Sequence, residues 1–463
     1  MTGSDFVFRL DGSTPTGGLR SQWYAVTVAV ILLVLAAVAV ANAVTFPDLL
    51  GYDVEKHRGY VDVLFQQGHI PGRAESKEFD TPPGFYAVAG GVKDLAGKLG
   101  ASDPWAVARA LNVVWVFGTA ILTLLIARAL FPGRLALQLA ALAFAALMPA
   151  VLKLAAMFHP ETLSLFVSTL ALYVAVRMFV RRRFGWPLAA LLGVALGAAQ
   201  LVRGFNLWLV PVVLAGFAAA WLSSPSTRRA TLFAALVTLA ATALVAGPWY
   251  VRQTIRYSNP LIFDRKAPNE PIWDRRPVSF YVGLGPRYVF TTPIRPHFLN
   301  QMPPTLYSDI WGDYHGYFAW ATDQSVFHGV PPDTTVKSEL AAQNLLGLIP
   351  TILALVGWLA LLHRSLRRSE HFREPGLLVV AALPLAGLLG FLLFTVSYPS
   401  GDGDVLKAGY LLTTVPAWAI AFGYALTHLA RNRILRRALT IACAAALASD
   451  LVFLLHRGPL GPL

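Results

Sequence analysis

The chain has 463 residues, 56% of them hydrophobic and only 14% charged, with twelve Trp, one Cys and a formal net charge of +13. A mean hydropathy of +0.56 excludes an ordinary soluble domain, and the recurring apolar runs suit helices that cross a bilayer, each of which needs about 20 apolar residues. The positive charge does not point to nucleic acid, because the arginines sit in short clusters between apolar runs, as cytoplasmic loops do. Cys443, being alone, allows no disulfide within the chain.

Residues 1–22 read as a polar cytoplasmic tail. The first span, about Trp23 to Thr45, lacks a small-residue cleavage site and is expected to be a retained helix rather than a signal peptide. A first outer loop, 46–104, follows. It holds Asp53, Glu55, Lys56, His57, Arg58, Asp62, Glu75, Glu78 and Asp80, a dense set of ionisable groups beside a span in a chain only 14% charged. Its second half, Gly84 to Gly100, is amphipathic and suits a helix lying at the interface. Further spans are expected at about 105–130, 135–151, 162–180, 186–200, 205–222 and 230–246, with KLAAMFHPE as a short polar turn after the third. Residues 249–339, rich in Pro and aromatics, are too long for a plain connection and read as an extracytoplasmic cover of short helices and loops. Spans at about 340–362, 377–396, 410–430 and 438–455 complete an all-α polytopic membrane protein of about 11 transmembrane helices, seven in 23–248 and four in 340–463.

With the N-terminus in the cytoplasm, the clusters near Arg128 and Arg134, Arg181 to Arg183, Arg228 and Arg229, Arg364 to Arg373 and Arg431 to Arg437 all fall on the cytoplasmic side. Asp53, Asp80, His159, Glu161, Arg203, Trp249, Arg252, Asp402, Asp404 and Lys407 then share the opposite face, where ionisable groups beside a membrane mark a site. Carboxylates among Arg203, Arg252 and Lys407 suit a substrate carrying phosphate, with a carboxylate left for general-base work or for a metal. Asp53 and His57 are spaced to share a helical face that Tyr60 extends.

Read in order, YDVEKHRGYVDVL with IPG and DTPPGFYAVAG, then KLAAMFHPETLSLFVSTLALYVAVR, LVRGFNLWLVPVVL, GPWYVRQTIRYSNPL and VLKAGYLLTTVPAWAI resemble the GT-C superfamily of integral-membrane glycosyltransferases. Within it the chain is similar to bacterial relatives of protein O-mannosyltransferases and aminoarabinose transferases (families 39 and 83). The first segment resembles the acidic and proline-pair motifs of the family's first loop. The fourth resembles W-x-x-R-N-x-x-x-x-G-x-P, and the last K-x-R-Y-x-x-x-x-x-P. The resemblance implies a GT-C fold and transfer of a sugar from a polyprenyl-phosphate donor to a protein, lipid or glycan acceptor on the outer face of the cell membrane. It also implies that Asp53 matches the catalytic acidic residue of the first loop and Glu161 an acidic position of the second outer loop. Departures from the family are the split Asp53-Val54-Glu55, Gln253 for Asn, Ser258 for Gly and Gly409 for Arg.

The candidate catalytic residues are therefore Asp53, Glu161 and Glu55, and the candidate phosphate-binding residues Arg252, Arg203 and Lys407. His57, Tyr60, Asp80, His159, Trp249 and Tyr410 are further site candidates. Each has a structural alternative. Asp53 suits a solvated loop or a helix cap, and His57 suits packing. His159-Pro160-Glu161 suits a helix N-terminus, the basic residues suit snorkelling at the interface, and Asp80 suits a turn. No cofactor is required; a divalent metal is an open alternative, since two carboxylates without tight ligand spacing are weak evidence for one. A transporter or flippase of lipid-linked sugars is the competing function, but the charges sit at span ends and no paired repeats are visible.

Overall fold

The computed structural model describes residues 18–261, 276–295, 301–318, 334–367, 374–397, 406–429 and 432–455. Asp402, Asp404, the tail before residue 18 and the 262–275, 296–300 and 319–333 stretches of the expected cover lie outside the described residues.

The apolar runs are helices because hydrocarbon offers no partner to a backbone N–H or C=O, so each segment must satisfy its own. In chain order they are α1 (Gly18–Thr45), α2 (Val54–Gln66), α3 (Gly84–Lys98), α4 (Pro104–Leu130), α5 (Leu135–Leu147), α6 (Pro149–Ala156), α7 (Glu161–Arg181), α8 (Trp186–Val202), α9 (Leu209–Ser223) and α10 (Arg228–Tyr257). Short helices α11 (Val278–Val282), α12 (Pro286–Val289) and α13 (Met302–Trp311) follow, then α14 (Thr334–Leu366), α15 (Pro375–Ser397), α16 (Val415–Leu429) and α17 (Arg433–Leu455). No strand occurs among the described residues.

Nine segments among the described residues are long and apolar enough to cross a membrane. The other two expected spans fall on α8, which has 17 residues, and on α17, within which Arg437–Ala446 is a shorter apolar helix among the described residues. Two expected boundaries move. The third span continues through α6 to Ala156, so the polar turn is only Met157 to Pro160 and Lys153 lies inside the helix. The seventh runs on to Tyr257 through Gly247 and Pro248, because one proline can be carried inside a membrane helix whose neighbours support it. Trp249 and Arg252 are thus helical rather than part of the cover.

Small residues set how closely the helices pack. A Cβ on Gly193 would lie 2.4 Å from the Thr238 carbonyl oxygen, and one on Gly197 2.6 Å from the Val245 Cβ, so α8 and α10 run backbone to backbone. Gly357 on α14 meets the Ala421 carbonyl of α16 in the same way. In the first loop, Gly90 of α3 lies beneath the Phe65 ring of α2, and Tyr60 stacks on Tyr86 with ring centroids 3.7 Å apart. The N-terminus of α3 is seated on the C-terminal end of α8, where Gly84 faces the Leu201 carbonyl. One end of the bundle thereby gathers the exit of α1, the turn between α6 and α7, the exit of α8 and the entry to α16.

Candidate active site

Asp53 occupies the residue before α2 with φ 56°, a left-handed conformation that few non-glycine residues adopt. Its carbonyl accepts the His57 N–H at 3.0 Å and so begins the helix. Its carboxylate does not cap that helix. It turns instead to two ammonium groups: Lys407 donates to Oδ2 at 2.6 Å, and Lys56 donates to Oδ1. Burial by itself raises the Asp53 carboxyl, but the Lys407 ammonium, with Lys56 added, reverses this and holds the carboxyl well below the usual carboxylate range. Burial likewise disfavours charge on Lys407, and Asp53 overcomes it, so the ammonium is held above its ordinary value. Both partners are ionised at neutral pH.

A second pair lies alongside. Glu161 opens α7 and accepts from the Arg203 Nε at 2.7 Å, with Glu161 fully buried and Arg203 nearly so. The Arg203 guanidinium also sits over the Tyr410 ring, 5.3 Å from its centroid. A Cβ at Gly409 would lie 3.4 Å from the Glu161 Cγ, so residue 409 packs against this side chain. Two buried imidazoles fill the space nearby. His57 and His159 meet edge to face at 4.9 Å, and the His57 Nδ1 shares a hydrogen bond of 2.8 Å with the Tyr86 hydroxyl. Burial pulls His57 down to about 4 and His159 well below its ordinary value, so both rings are neutral. The His57 Nε2 and the Tyr60 hydroxyl are buried without a hydrogen-bond partner.

The structure thus links the Asp53–Lys407 pair through the Tyr52 ring to His159 and His57, and His57 through Tyr86 to Tyr60, and sets Glu161, Arg203 and Tyr410 as a second group. Other candidates stand apart. Glu55 is exposed on the first turn of α2. Arg252 donates to the Ile70 and Pro71 carbonyls at 3.0 and 3.1 Å and lies over the Trp249 ring, which ties α10 to the first loop. Asp80 is on that loop, before the turn that leads into α3. Ser258, where the family pattern has glycine, ends α10 with φ 56°, a conformation for which glycine is the usual choice.

Sequence reading missed a buried group beneath the Asp53–Lys407 pair. Tyr52 donates to Asp309 Oδ1 at 2.8 Å, and Lys153 of α6 donates to the Asp309 carbonyl at 2.8 Å and lies 3.4 Å from Oδ1 and 3.8 Å from Asp313. His315 packs edge-on against Tyr52 and bonds the Leu406 carbonyl. The available signal was a Lys inside an apolar run together with the acidic-aromatic stretch LYSDIWGDYHGYF.

These residues do not fit a metal. Both Asp53 oxygens hold ammonium groups and Glu161 holds a guanidinium, and among the described residues no three His, Cys, Asp or Glu side chains gather as a metal site.

No family model matches the chain, and no curated protein does. Solved structures do. The Archaeoglobus fulgidus oligosaccharyltransferase in its apo form aligns with a TM-score of 0.56 and 15% identity, over 97% of this chain and 57% of its own. The same archaeal protein, AglB, in complex with an inhibitory peptide and a dolichol-phosphate, aligns at 0.55 and 13%, over 95% and 56%. Its complex with Zn and sulfate aligns at 0.52 and 15%, over 94% and 54%. ArnT from Cupriavidus metallidurans bound to undecaprenyl phosphate aligns at 0.49 and 18%, over 93% and 65%. The chain therefore spans little more than half the length of the archaeal protein whose fold it shares.

Proposed function

From the GT-C glycosyltransferase fold that this chain has, we propose that it moves a sugar from a polyprenyl-phosphate donor to an acceptor hydroxyl on the extracytoplasmic face of the membrane, with Asp53 as general base. The observation that carries the reading is the Asp53–Lys407 pair, a carboxylate and an ammonium held together at 2.6 Å at the end of the bundle where α1, α7, α8 and α16 converge. The dolichol-phosphate of the archaeal neighbour supports a lipid phosphate as the donor's charged part.

The step needs few groups. The acceptor oxygen forms its bond to the anomeric carbon while its proton passes to the Asp53 carboxylate, and the bond from that carbon to the phosphate oxygen breaks, its electron pair leaving with polyprenyl phosphate. Phosphate is already a good leaving group, so deprotonating the acceptor is the help the protein must supply. Paired with Lys407, Asp53 is too weak a base. An incoming phosphate competes for the same ammonium, and drawing Lys407 toward it raises the basicity of Asp53 when donor is bound. Arg203 is the second cation within this group, and Arg252 is assigned to holding the first loop. A metal, such as the Zn in one structure of the archaeal neighbour, is given no step here.

The test is transfer from a fluorescent polyprenyl-phosphate sugar by purified protein in vesicles. Labelled product supports the reading, and movement of the donor between leaflets without product overturns it in favour of a flippase. Sidedness is checked separately. In a variant lacking Cys443, a cysteine placed at exposed Glu55 should react with an impermeant maleimide from outside only, and one at exposed Arg183 from inside only. The reverse pattern would put the site opposite nucleotide sugars and end the proposal.

A further inference from the structure

Asp309 lies on α13, in the short-helix region between α10 and α14, and both of its carboxylate oxygens are engaged on neighbours of the Asp53–Lys407 pair. Oδ1 accepts the hydroxyl of Tyr52, the residue before Asp53, at 2.8 Å. Oδ2 accepts the backbone N–H of Ala408, the residue after Lys407, at 2.7 Å. Asp53 and Lys407 are 354 positions apart in sequence, and no described helix contains both. One carboxylate thus grips the chain on each side of the place where they meet. The Lys407 ammonium also lies 5.2 Å above the Tyr52 ring, so the ring that Asp309 orients is itself a wall of the pair.

We propose that Asp309 is the positioning residue for the reaction, setting the distance between the Asp53 carboxylate and the Lys407 ammonium from the α13 side. The assignment rests on the proposed role of that pair in transfer. Asp309 does not reach the reacting atoms and is no catalytic residue. Its own place is fixed by Lys153, which donates to its carbonyl from inside α6, and by burial of both side chains to 2% exposure. A buried carboxylate is costly unless its lone pairs are satisfied. Here a hydroxyl, a backbone amide and an ammonium meet that need, and two of these three donors belong to the segments that carry the pair. A carboxylate kept only for stability had no need to select those two segments.

Asp309→Asn is the direct test, since its amide keeps one acceptor oxygen and sets an NH2 group against the donor on the other side. The first readout does not use activity. Trace acetylation of the solubilised full chain with acetic anhydride, read by mass spectrometry, measures the reactivity of Lys407 against exposed Lys98. Loosening the pair should raise it at least about threefold, because free amine rises about tenfold for each unit by which a lysine pKa falls. Tyr52→Phe removes only the arm on the Asp53 side, and it should raise Lys407 reactivity in the same direction even if the Asn variant fails to fold. Unchanged Lys407 reactivity in the variants that fold overturns the proposal.

The second readout is transfer. Asp309→Asn should cost about tenfold in the native background and less than about threefold when Lys407 is already Ala, the non-additivity expected of residues acting through one another. Equal losses in both backgrounds make Asp309 a structural residue only. A Lys407→Ala variant with native transfer instead refutes the role given to the pair, a failure that the acetylation result tells apart.

Discussion

Lys407 meets Asp53 from 354 positions away, and Arg203 meets Glu161 from 42 away. At the other end of the bundle, Arg364 meets Glu374 across only ten residues. The first two pairs are largely or wholly buried, with Glu161 at 1% exposure, whereas Arg364 and Glu374 have side chains 43% and 45% exposed. Arg128, Arg134, Arg181 to Arg183, Arg228 and Arg229 are exposed as well. Both ends carry charge and differ in what holds it. Exposed charge costs the fold little and fits a role in orientation. Buried charge at a junction of several helices persists only if each member is paired. The proposed site lies at the second end, and the contrast predicts how each end responds to perturbation.

The largest expected effect comes from breaking the Glu161–Arg203 pair. Glu161→Ala leaves the buried Arg203 guanidinium without its carboxylate partner, and removing one member of such a pair costs about 3–5 kcal/mol. Thermal unfolding in detergent checks this. Replacing both members with Met should recover most of the loss, because the penalty lies in the unpaired charge; a double variant as unstable as the single one would mean the pair is held for packing alone.

Next is Asp53→Asn, which keeps the size of the side chain and removes the proposed base. Folding and donor binding should persist while transfer slows at least about a hundredfold, the lower end of what a general base supplies. Near-native turnover would move that role to Glu161 or Glu55.

The apolar architecture was legible because period, length and the need to satisfy the backbone in lipid act locally, and residue types report them directly. The boundaries missed at Ala156 and Tyr257 show where that stops. Gly247 and Pro248 are breakers in isolation, yet α10 continues because α8 packs against it through Gly193 and Gly197, a property of two helices that neither states by itself. The site divides in the same way. Asp53 and His57 could be placed on one face because a single helix connects them. That Lys407 reaches Asp53, that Arg252 instead binds the loop carbonyls, and that Asp309 lies beneath the pair are all products of long-range packing. Lys153 was passed over because an apolar run with one lysine resembles a turn until its buried carboxylate partners are seen.

Acid should act on the buried end before the exposed one. His57 and His315 are both pulled down to about 4 by burial, from an ordinary 6.5. As pH falls through 6.5 the unfolded chain takes up protons on these rings, and the native one does not until about 4. The unfolded state therefore binds more protons, and stability is lost as pH falls across that window, by up to about 1.4 kcal/mol per pH unit for each ring. Depression of the Asp53 carboxyl acts with the same sign at lower pH still. Unfolding temperature should drop steadily between pH 6.5 and 4, and His57→Phe should flatten the drop; a native profile that is level over this range would show that the imidazoles are hydrated.

The smallest effect belongs to the exposed end. Arg364 makes two hydrogen bonds to Glu374, at 2.6 and 3.0 Å, a geometry as good as that of either buried pair, so distance alone would rank them equal. Water decides otherwise. With each side chain more than two fifths exposed, the ions keep much of their hydration and salt screens what attraction remains, so such pairs contribute about 0–1 kcal/mol. Glu374→Gln should therefore shift the unfolding midpoint little and leave transfer at its native rate, and raising the salt concentration should shrink even that difference. A loss as large as that of Glu161→Ala, persisting in salt, would mean that the ends differ in chemistry but not in how their charges are held.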